Sequence, residues 1–112
     1  MKIIPLNERA PDVEAYISLN TNKKHPVISG YRPTHRVRGD YLTTGVHKYY
    51  DVESIKPGQT VLGTITFITP EVYPKTLWIG KQIDICEGEI IVGTATITKI
   101  FNPILQIDKN GR

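Results

Sequence analysis

Three stretches of this chain alternate apolar and polar residues with the two-residue period of a β-strand. In residues 12–19 every second side chain is apolar, beginning at Val13. Residues 60–69 and 91–100 repeat the alternation with interleaved threonines, which are β-branched and pack well on a pleated surface. No window spaces its apolar residues as a helix would. The pattern therefore predicts an all-β barrel or sandwich.

Residues 34–38 are predicted to form a further strand. Alternation places Thr34, Arg36 and Arg38 on one face and turns His35 inward together with Val37. A polar loop at residues 21–26 ends in proline, and residues 27–33 then lead into this extended stretch. We therefore expect the two arginines to share an outer surface.

A turn and another strand complete the predicted β pattern. Lys56-Pro57-Gly58-Gln59 is typical of a type II turn, because proline presets φ at its second position and glycine accepts a positive φ at its third. Residues 76–86 are predicted to be extended, with Leu77 and Ile79 on the same face and Lys81 interrupting that apolar stripe. The predicted core side chains are Val13, Ala15, Ile17, Leu19, Val61, Ile65, Phe67, Ile83, Ile85 and Ile97.

A chain of 112 residues can bury one hydrophobic core. We therefore predict a single domain over residues 1–112, with the barrel at about 12–101, a short N-terminal arm and a frayed tail at 106–112. The lone Cys86 cannot form an internal disulfide, which favours a reducing cytoplasm. No apolar run approaches the roughly 20 residues that span a bilayer, so no membrane association is expected.

The titratable residues do not suggest a catalytic or metal centre. His25, His35 and His47 have no Ser, Cys or carboxylate at the spacing of a catalytic triad, and Cys86 adds only one thiol. The thiolate of Cys86 should be disfavoured by the carboxylate of Glu87. We predict no catalytic, metal or cofactor site. The formal charge of +3 permits RNA binding without indicating it.

An ordered series of short motifs resembles one known domain. The motifs are Gly30-Tyr31-Arg32-Pro33, Thr44-Gly45, Lys56-Pro57-Gly58-Gln59, Ile68-Thr69-Pro70, Glu87-Gly88 and Val92-Gly93-Thr94-Ala95, ending in Thr98-Lys99-Ile100. In this order and spacing they resemble the third, C-terminal barrel domain of elongation factor Tu. The resemblance covers roughly residues 12–101 and implies a small antiparallel β-barrel of the translation-factor C-terminal type.

The signature of a nucleotide site does not occur in this sequence. It has no Gly-x-x-x-x-Gly-Lys-Ser/Thr loop whose backbone could cradle phosphates. We therefore expect no nucleotide binding, no GTP hydrolysis and no enzymatic activity.

The resemblance also implies residues that contact structured RNA. The family's Thr-Gly turn corresponds to Thr44-Gly45 and its Glu-Gly turn to Glu87-Gly88. Thr34 and Thr69 depart from the family pattern, and Glu89 replaces a second glycine, which indicates a reshaped turn. Arg36 and Arg38 beside Thr34 could meet phosphates, although a solvated outer face is the simpler interpretation.

Aromatic side chains are the other candidates for binding. Tyr49, Tyr50 and Trp78 are predicted anchors of a protein interface, in which tyrosine and tryptophan are enriched. Base stacking is the other possibility for aromatic side chains, and its candidates are Tyr41, Tyr49, Tyr50, Tyr73 and Trp78, which could instead simply close the end of a barrel.

Two functions follow from these residues. The first is a non-enzymatic protein-interaction module that imitates the factor's third domain, as a decoy, an immunity-type protein or an assembly partner. The alternative is an accessory protein that binds tRNA-like structured RNA. We favour the protein partner, because one barrel would supply only part of the factor's contact with tRNA.

Overall fold

The computed structural model describes residues 4–107, and its regular secondary structure is almost entirely β-strand. Within these residues the helices are three single 3-10 turns, at Leu6–Glu8, Pro70–Val72 and Pro103–Leu105. The strands are β1 (Val13–Leu19), β2 (Val27–Ile28), β3 (Thr34–Arg38), β4 (Tyr41–Tyr49), β5 (Ser54–Ile55), β6 (Thr60–Phe67), β7 (Gln82–Glu87) and β8 (Ile90–Ile100). Over residues 4–107 no helix has the length and apolar character needed to cross a membrane.

Six of the strands close into an antiparallel barrel. Their order is β1-β6-β4-β3-β7-β8, and β8 returns to pair with β1. β2 and β5 form a separate two-stranded ribbon. Closure leaves none of these six strands with an unpaired edge. The predicted all-β barrel is therefore confirmed.

The barrel interior holds the core that the alternation predicts. Every predicted core side chain is buried except Val61, which is half-buried and packs against the core. Phe67 is 1% exposed and is the largest fully buried side chain. The threonines of β8 lie on the opposite face from Ala95 and Ile97, as the period of two requires.

β4 has no counterpart among the predicted strands. Its inward positions are occupied by Thr43, Gly45, His47 and Tyr49, so the strand lacks an apolar stripe. The prediction that Thr44-Gly45 forms a turn is wrong, because Gly45 lies within β4 opposite Phe67. A Cβ at position 45 would lie 2.8 Å from an Ile65 methyl and 3.0 Å from the His35 ring. Gly45 thus leaves room for the interior side chains.

The predicted strand over residues 76–86 is shorter than expected. β7 begins only at Gln82, and a turn closed by the Lys81 amide and the Trp78 carbonyl at 3.1 Å precedes it. Gly80 has a φ of +93° in this turn, which an L side chain rarely adopts. Ile79 is consequently 57% exposed instead of facing the core.

Two other turns follow the prediction from sequence. Gly58 has a φ of +90°, and the Gln59 amide donates to the Lys56 carbonyl at 3.0 Å. Gly88 has a φ of +61° in the hairpin between β7 and β8, where Glu87 pairs with Ile90. Glu89 has no positive φ. The turn therefore accommodates a side chain at position 89, as in a II′ hairpin turn.

The chain beyond β8 is tied to the barrel at several points. The amides of Phe101 and Asn102 donate to the Asp12 carbonyl at 2.8 and 3.1 Å. The Ile107 amide donates to the Leu77 carbonyl at 2.8 Å. The predicted fraying is therefore wrong for residues 106–107, and residues 108–112 lie outside the described part of the chain.

Candidate interaction surface

The register of β3 gathers part of the predicted RNA-contact set at one end of the barrel. Thr34 pairs with Thr44 of β4 on one side and with Cys86 of β7 on the other. Its hydroxyl donates to the Cys86 carbonyl at 3.2 Å. Glu87 and Gly88 follow directly in the hairpin turn. Gly45 is buried, so of these positions Thr34, Thr44 and the turn present atoms to solvent.

The carboxylate of Glu87 already has two partners. The Tyr31 hydroxyl donates to its Oε2 atom, and Lys23 Nζ lies 3.5 Å from the same oxygen. Burial, and then this hydrogen bond, raises the pKa of Tyr31. The Glu87 side chain remains 42% exposed. The turn is thus anchored by Tyr31 and Lys23.

The two arginines of the predicted stripe have different surroundings. Arg36 Nη1 lies 3.5 Å from Asp84 Oδ2 on the neighbouring strand, so its charge is partly neutralised. Arg38 instead lies over two tyrosine rings, 5.6 Å from the centre of Tyr41 and 6.0 Å from that of Tyr73. Both arginines are on the outer face of β3, but they do not act as one pair of free cations.

The three predicted protein-interface residues are not brought together. Tyr49 is 7% exposed and points into the barrel, so it is not an exposed anchor. Tyr50 is half exposed, and its hydroxyl donates to Glu14 Oε1 at 2.8 Å. Thr98, which donates to the other oxygen of Glu14 at 2.6 Å, is the larger cause of the lowered Glu14 pKa, followed by Tyr50. Trp78 is 43% exposed and lies elsewhere, beside Lys81.

Lys81 joins Trp78 to the end of β3. Its ammonium donates to the Val37 carbonyl at 2.9 Å and to the Thr76 carbonyl at 2.6 Å. The same nitrogen lies 4.6 Å from the centre of the Trp78 ring, a cation–π distance. Burial lowers the pKa of Lys81. Lys81, which interrupts the predicted apolar stripe, therefore connects the end of β3 to the turn that contains Trp78.

These contacts define a surface that the sequence does not predict as one unit. We call it the aromatic surface. It consists of Arg38, Tyr41, Tyr73, Trp78 and Lys81, which these contacts link, and of the exposed Ile79, which follows Trp78 in the chain. Its most exposed members are Tyr41 at 65% and Ile79 at 57%. The predicted RNA-binding Arg38 and the predicted anchor Trp78 thus belong to the same surface. Arg38 and Trp78 are far apart in the chain, and it is the hydrogen bond from Lys81 to the Val37 carbonyl that shows their proximity.

Inside the barrel, His35 and His47 form a buried pair. Their Nε2 atoms are 2.7 Å apart, His35 Nδ1 lies 3.1 Å from the Thr43 carbonyl, and His47 Nδ1 lies 3.3 Å from the Tyr49 hydroxyl. A carbonyl can only accept, so neutral His35 carries its proton on Nδ1 and accepts at Nε2. His47 then donates from Nε2 and accepts from Tyr49. Each ring nitrogen of this neutral pair therefore has a partner.

Burial makes the charged forms of this pair costly. It lowers the pKa of His35 to about 4, and burial followed by the proximity of His35 lowers that of His47. The pair is surrounded by Phe67 and Tyr31, whose rings meet the imidazoles edge-on. Among residues 4–107, the hydrogen-bond partners of the two imidazoles are the Thr43 carbonyl, the Tyr49 hydroxyl and each other.

Within the described residues, Cys86 does not join a cluster of potential metal ligands. Cys86 is 1% exposed, and burial raises the pKa of its thiol, with Asp84 adding to the shift and Arg36 opposing it. Burial, not Glu87, is therefore the main reason that its thiolate is disfavoured. Across residues 4–107, no three His, Cys, Asp or Glu side chains lie close enough to hold a metal ion. A scan of the sequence against models of protein families finds no match.

Proposed function

We propose that this chain is a non-enzymatic protein-interaction module that binds its partner through the aromatic surface. The observation that carries the proposal is that exposed aromatic side chains are held in place at one end of a closed barrel. Trp78 lies over the Lys81 ammonium, and Tyr41 lies under the Arg38 guanidinium. An anchor that is already ordered loses little side-chain entropy on binding. Tryptophan, tyrosine and arginine are also the residues most enriched among interface hot spots.

The barrel also supports the proposal that the chain imitates the third domain of elongation factor Tu. A small closed six-stranded antiparallel barrel is compatible with that resemblance. A protein with this shape would act as a decoy, an immunity-type protein or an assembly partner for whatever recognises the factor's barrel. The proposed setting is the cytoplasm, where that factor works.

Competition tests this proposal. A protein that binds the barrel of elongation factor Tu should be displaced by an excess of this chain and not by its Trp78→Ala variant. Tyr16→Ala is the matched control, because Tyr16 is a 51% exposed tyrosine of β1 that lies outside the aromatic surface. If Trp78→Ala and Tyr16→Ala both lost the ability to compete, or if both kept it, the partner would not bind through the aromatic surface.

Binding to structured RNA is the second candidate function. It is favoured by the register that brings Thr34 and Thr44 beside the Glu87 turn. The Arg36–Asp84 ion pair argues for weak affinity, because few cations are left to displace counterions from phosphates. A pull-down from the native host that recovers RNA, and no protein after ribonuclease treatment, would favour this function over the first.

A further inference from the structure

The charged groups of the aromatic surface are not equivalent. The Lys81 ammonium donates to two main-chain carbonyls and faces the Trp78 ring, so its donors are largely used. Arg38 is exposed, and its guanidinium lies over the rings of Tyr41 and Tyr73. Within the part of the chain that the structure describes, its guanidinium has no ion pair and no hydrogen bond. Asp40, in the adjoining turn, is not within ion-pair distance of it.

An arginine that is stacked on aromatic rings and has no ion pair is well suited to bind a planar anion. Guanidinium is weakly hydrated, and stacking on rings leaves its edge, with its fork of N–H donors, free to bind a carboxylate through two parallel hydrogen bonds. The two tyrosines also restrict the motion of the side chain before binding. The aromatic surface therefore offers one oriented cationic site.

The aromatic surface and the residue next to Tyr41 also carry exposed apolar side chains. Trp78 is 43% and Ile79 57% exposed, and Leu42 of β4 is 38% exposed next to Tyr41 in the chain. Burying such side chains against apolar groups is favourable by roughly 25 cal/mol per Å². A ligand that fits must therefore present a carboxylate together with apolar groups.

Resting on the function proposed above, we propose that the aromatic surface binds a segment of a partner protein in which an aspartate or glutamate is flanked by apolar residues. Arg38 takes the carboxylate, and Trp78 and Ile79 take the apolar side chains. This occupant is chosen because the Arg38 guanidinium has no ion pair within residues 4–107 and is complementary in charge to a single carboxylate. An RNA strand fits less well, because it would present many phosphates to a surface with a single available cation and an exposed aliphatic side chain.

A peptide array tests this proposal. One set contains short N-acetylated, C-amidated peptides with aspartate or glutamate among leucine, isoleucine, phenylalanine and proline. A matched set replaces each acid by its amide. Dissociation constants are measured for the parent, Arg38→Gln, Arg38→Lys and Trp78→Ala. Arg32→Gln is the control, because it removes an exposed arginine that precedes β3, beyond the end of the strand opposite to Arg38. Thermal unfolding of each variant confirms that it is folded.

The parent should bind acidic peptides about ten-fold or more tighter than their amides, the effect of one hydrogen-bonded charge. Arg38→Gln should lose this preference, Arg38→Lys should keep part of it, and Arg32→Gln should behave as the parent. Equal binding of acids and amides, weakened by Trp78→Ala, would refute acid recognition while leaving the interaction surface in place. Failure of every peptide to bind, or binding unaffected by Trp78→Ala, would refute both. Displacement of bound peptide by structured RNA that binds more tightly would overturn the choice of a protein partner.

Discussion

The buried histidine pair should make the barrel lose stability as soon as the pH falls below neutrality. His35 and His47 are neutral in the folded protein, and in the unfolded chain each imidazole has a pKa near 6.5. At a pH between the folded and the unfolded pKa of an imidazole, the unfolded state binds more protons than the folded state. The free energy of unfolding therefore falls as the pH drops from about 6.5 toward the folded value, which for His35 is about 4.

The size of the effect follows from the shift of His35. Linkage gives a loss of about 2 kcal/mol between pH 7.5 and 5.0 from this residue alone. The lowered pKa of His47 adds to the loss in the same direction. Glu14, whose folded pKa is lowered, contributes stability that is lost only at more acidic pH, as the pH falls through its range. The chosen interval therefore isolates the imidazoles.

Urea unfolding at pH 7.5 and at pH 5.0 measures this difference. A double variant, His35→Gln with His47→Gln, should be less stable at pH 7.5 and should show little of the pH dependence. Val37→Ala is the matched control, because it removes a buried side chain of β3 and keeps both imidazoles. It should be destabilised and should keep the parent's pH dependence. A parent whose stability changes by less than about 0.5 kcal/mol over this interval would refute the neutral buried pair.

Three further results are expected. Phe67→Ala should lower the free energy of unfolding by about 3–5 kcal/mol, since Phe67 is a fully buried core side chain; a loss under 1 kcal/mol in urea unfolding would contradict its placement. Gly93→Ala should strongly lower the stability of the protein, because the added Cβ would lie 2.3 Å from the Ser18 carbonyl oxygen where β8 pairs with β1. Gly80→Ala is the control, since its Cβ has open space and only the positive φ of residue 80 is unfavourable. Equal thermal stabilities of the two variants would argue against the close approach at Gly93. Calorimetric titration with GTP and magnesium should show no binding, because the sequence has no phosphate-binding loop; stoichiometric binding would reveal a site of another kind.

The period of two was sufficient to predict most of the barrel and its core. β1, β3, β6 and β8 lie where the alternation or β-branched composition places them, and the Pro57-Gly58 turn follows from its residue types. β4 could not be found in this way, because small and polar residues fill its inward positions. Because β4 could not be predicted, the contact between His35 and His47 could not be predicted either. His35 shares its inward phase with Val37, but its contact with His47 depends on the register of β3 against β4.

The aromatic surface could be predicted only in pieces. Arg38 and Tyr41 pair across the β3–β4 hairpin, but no sequence spacing relates them to Tyr73 or Trp78. The proximity of Trp78 to the end of β3 depends on Lys81 leaving the core stripe and reaching the Val37 carbonyl. Tyr49 illustrates the opposite error, since its residue type predicts an exposed interface anchor and its side chain is buried beside His47.

The most direct test of the central claim uses the fluorescence of Trp78, the only tryptophan in the chain. Because its ring is 43% exposed within the aromatic surface, its emission reports contact at that surface. Titration with the tightest tryptophan-free acidic peptide should shift the emission to shorter wavelength and protect it from acrylamide, with the dissociation constant that calorimetry gives. Tyr16→Ala should show the same shift, and Arg38→Gln a much weaker one. Binding that is seen by calorimetry while the emission and quenching of Trp78 stay unchanged would place the interface elsewhere and contradict the proposal.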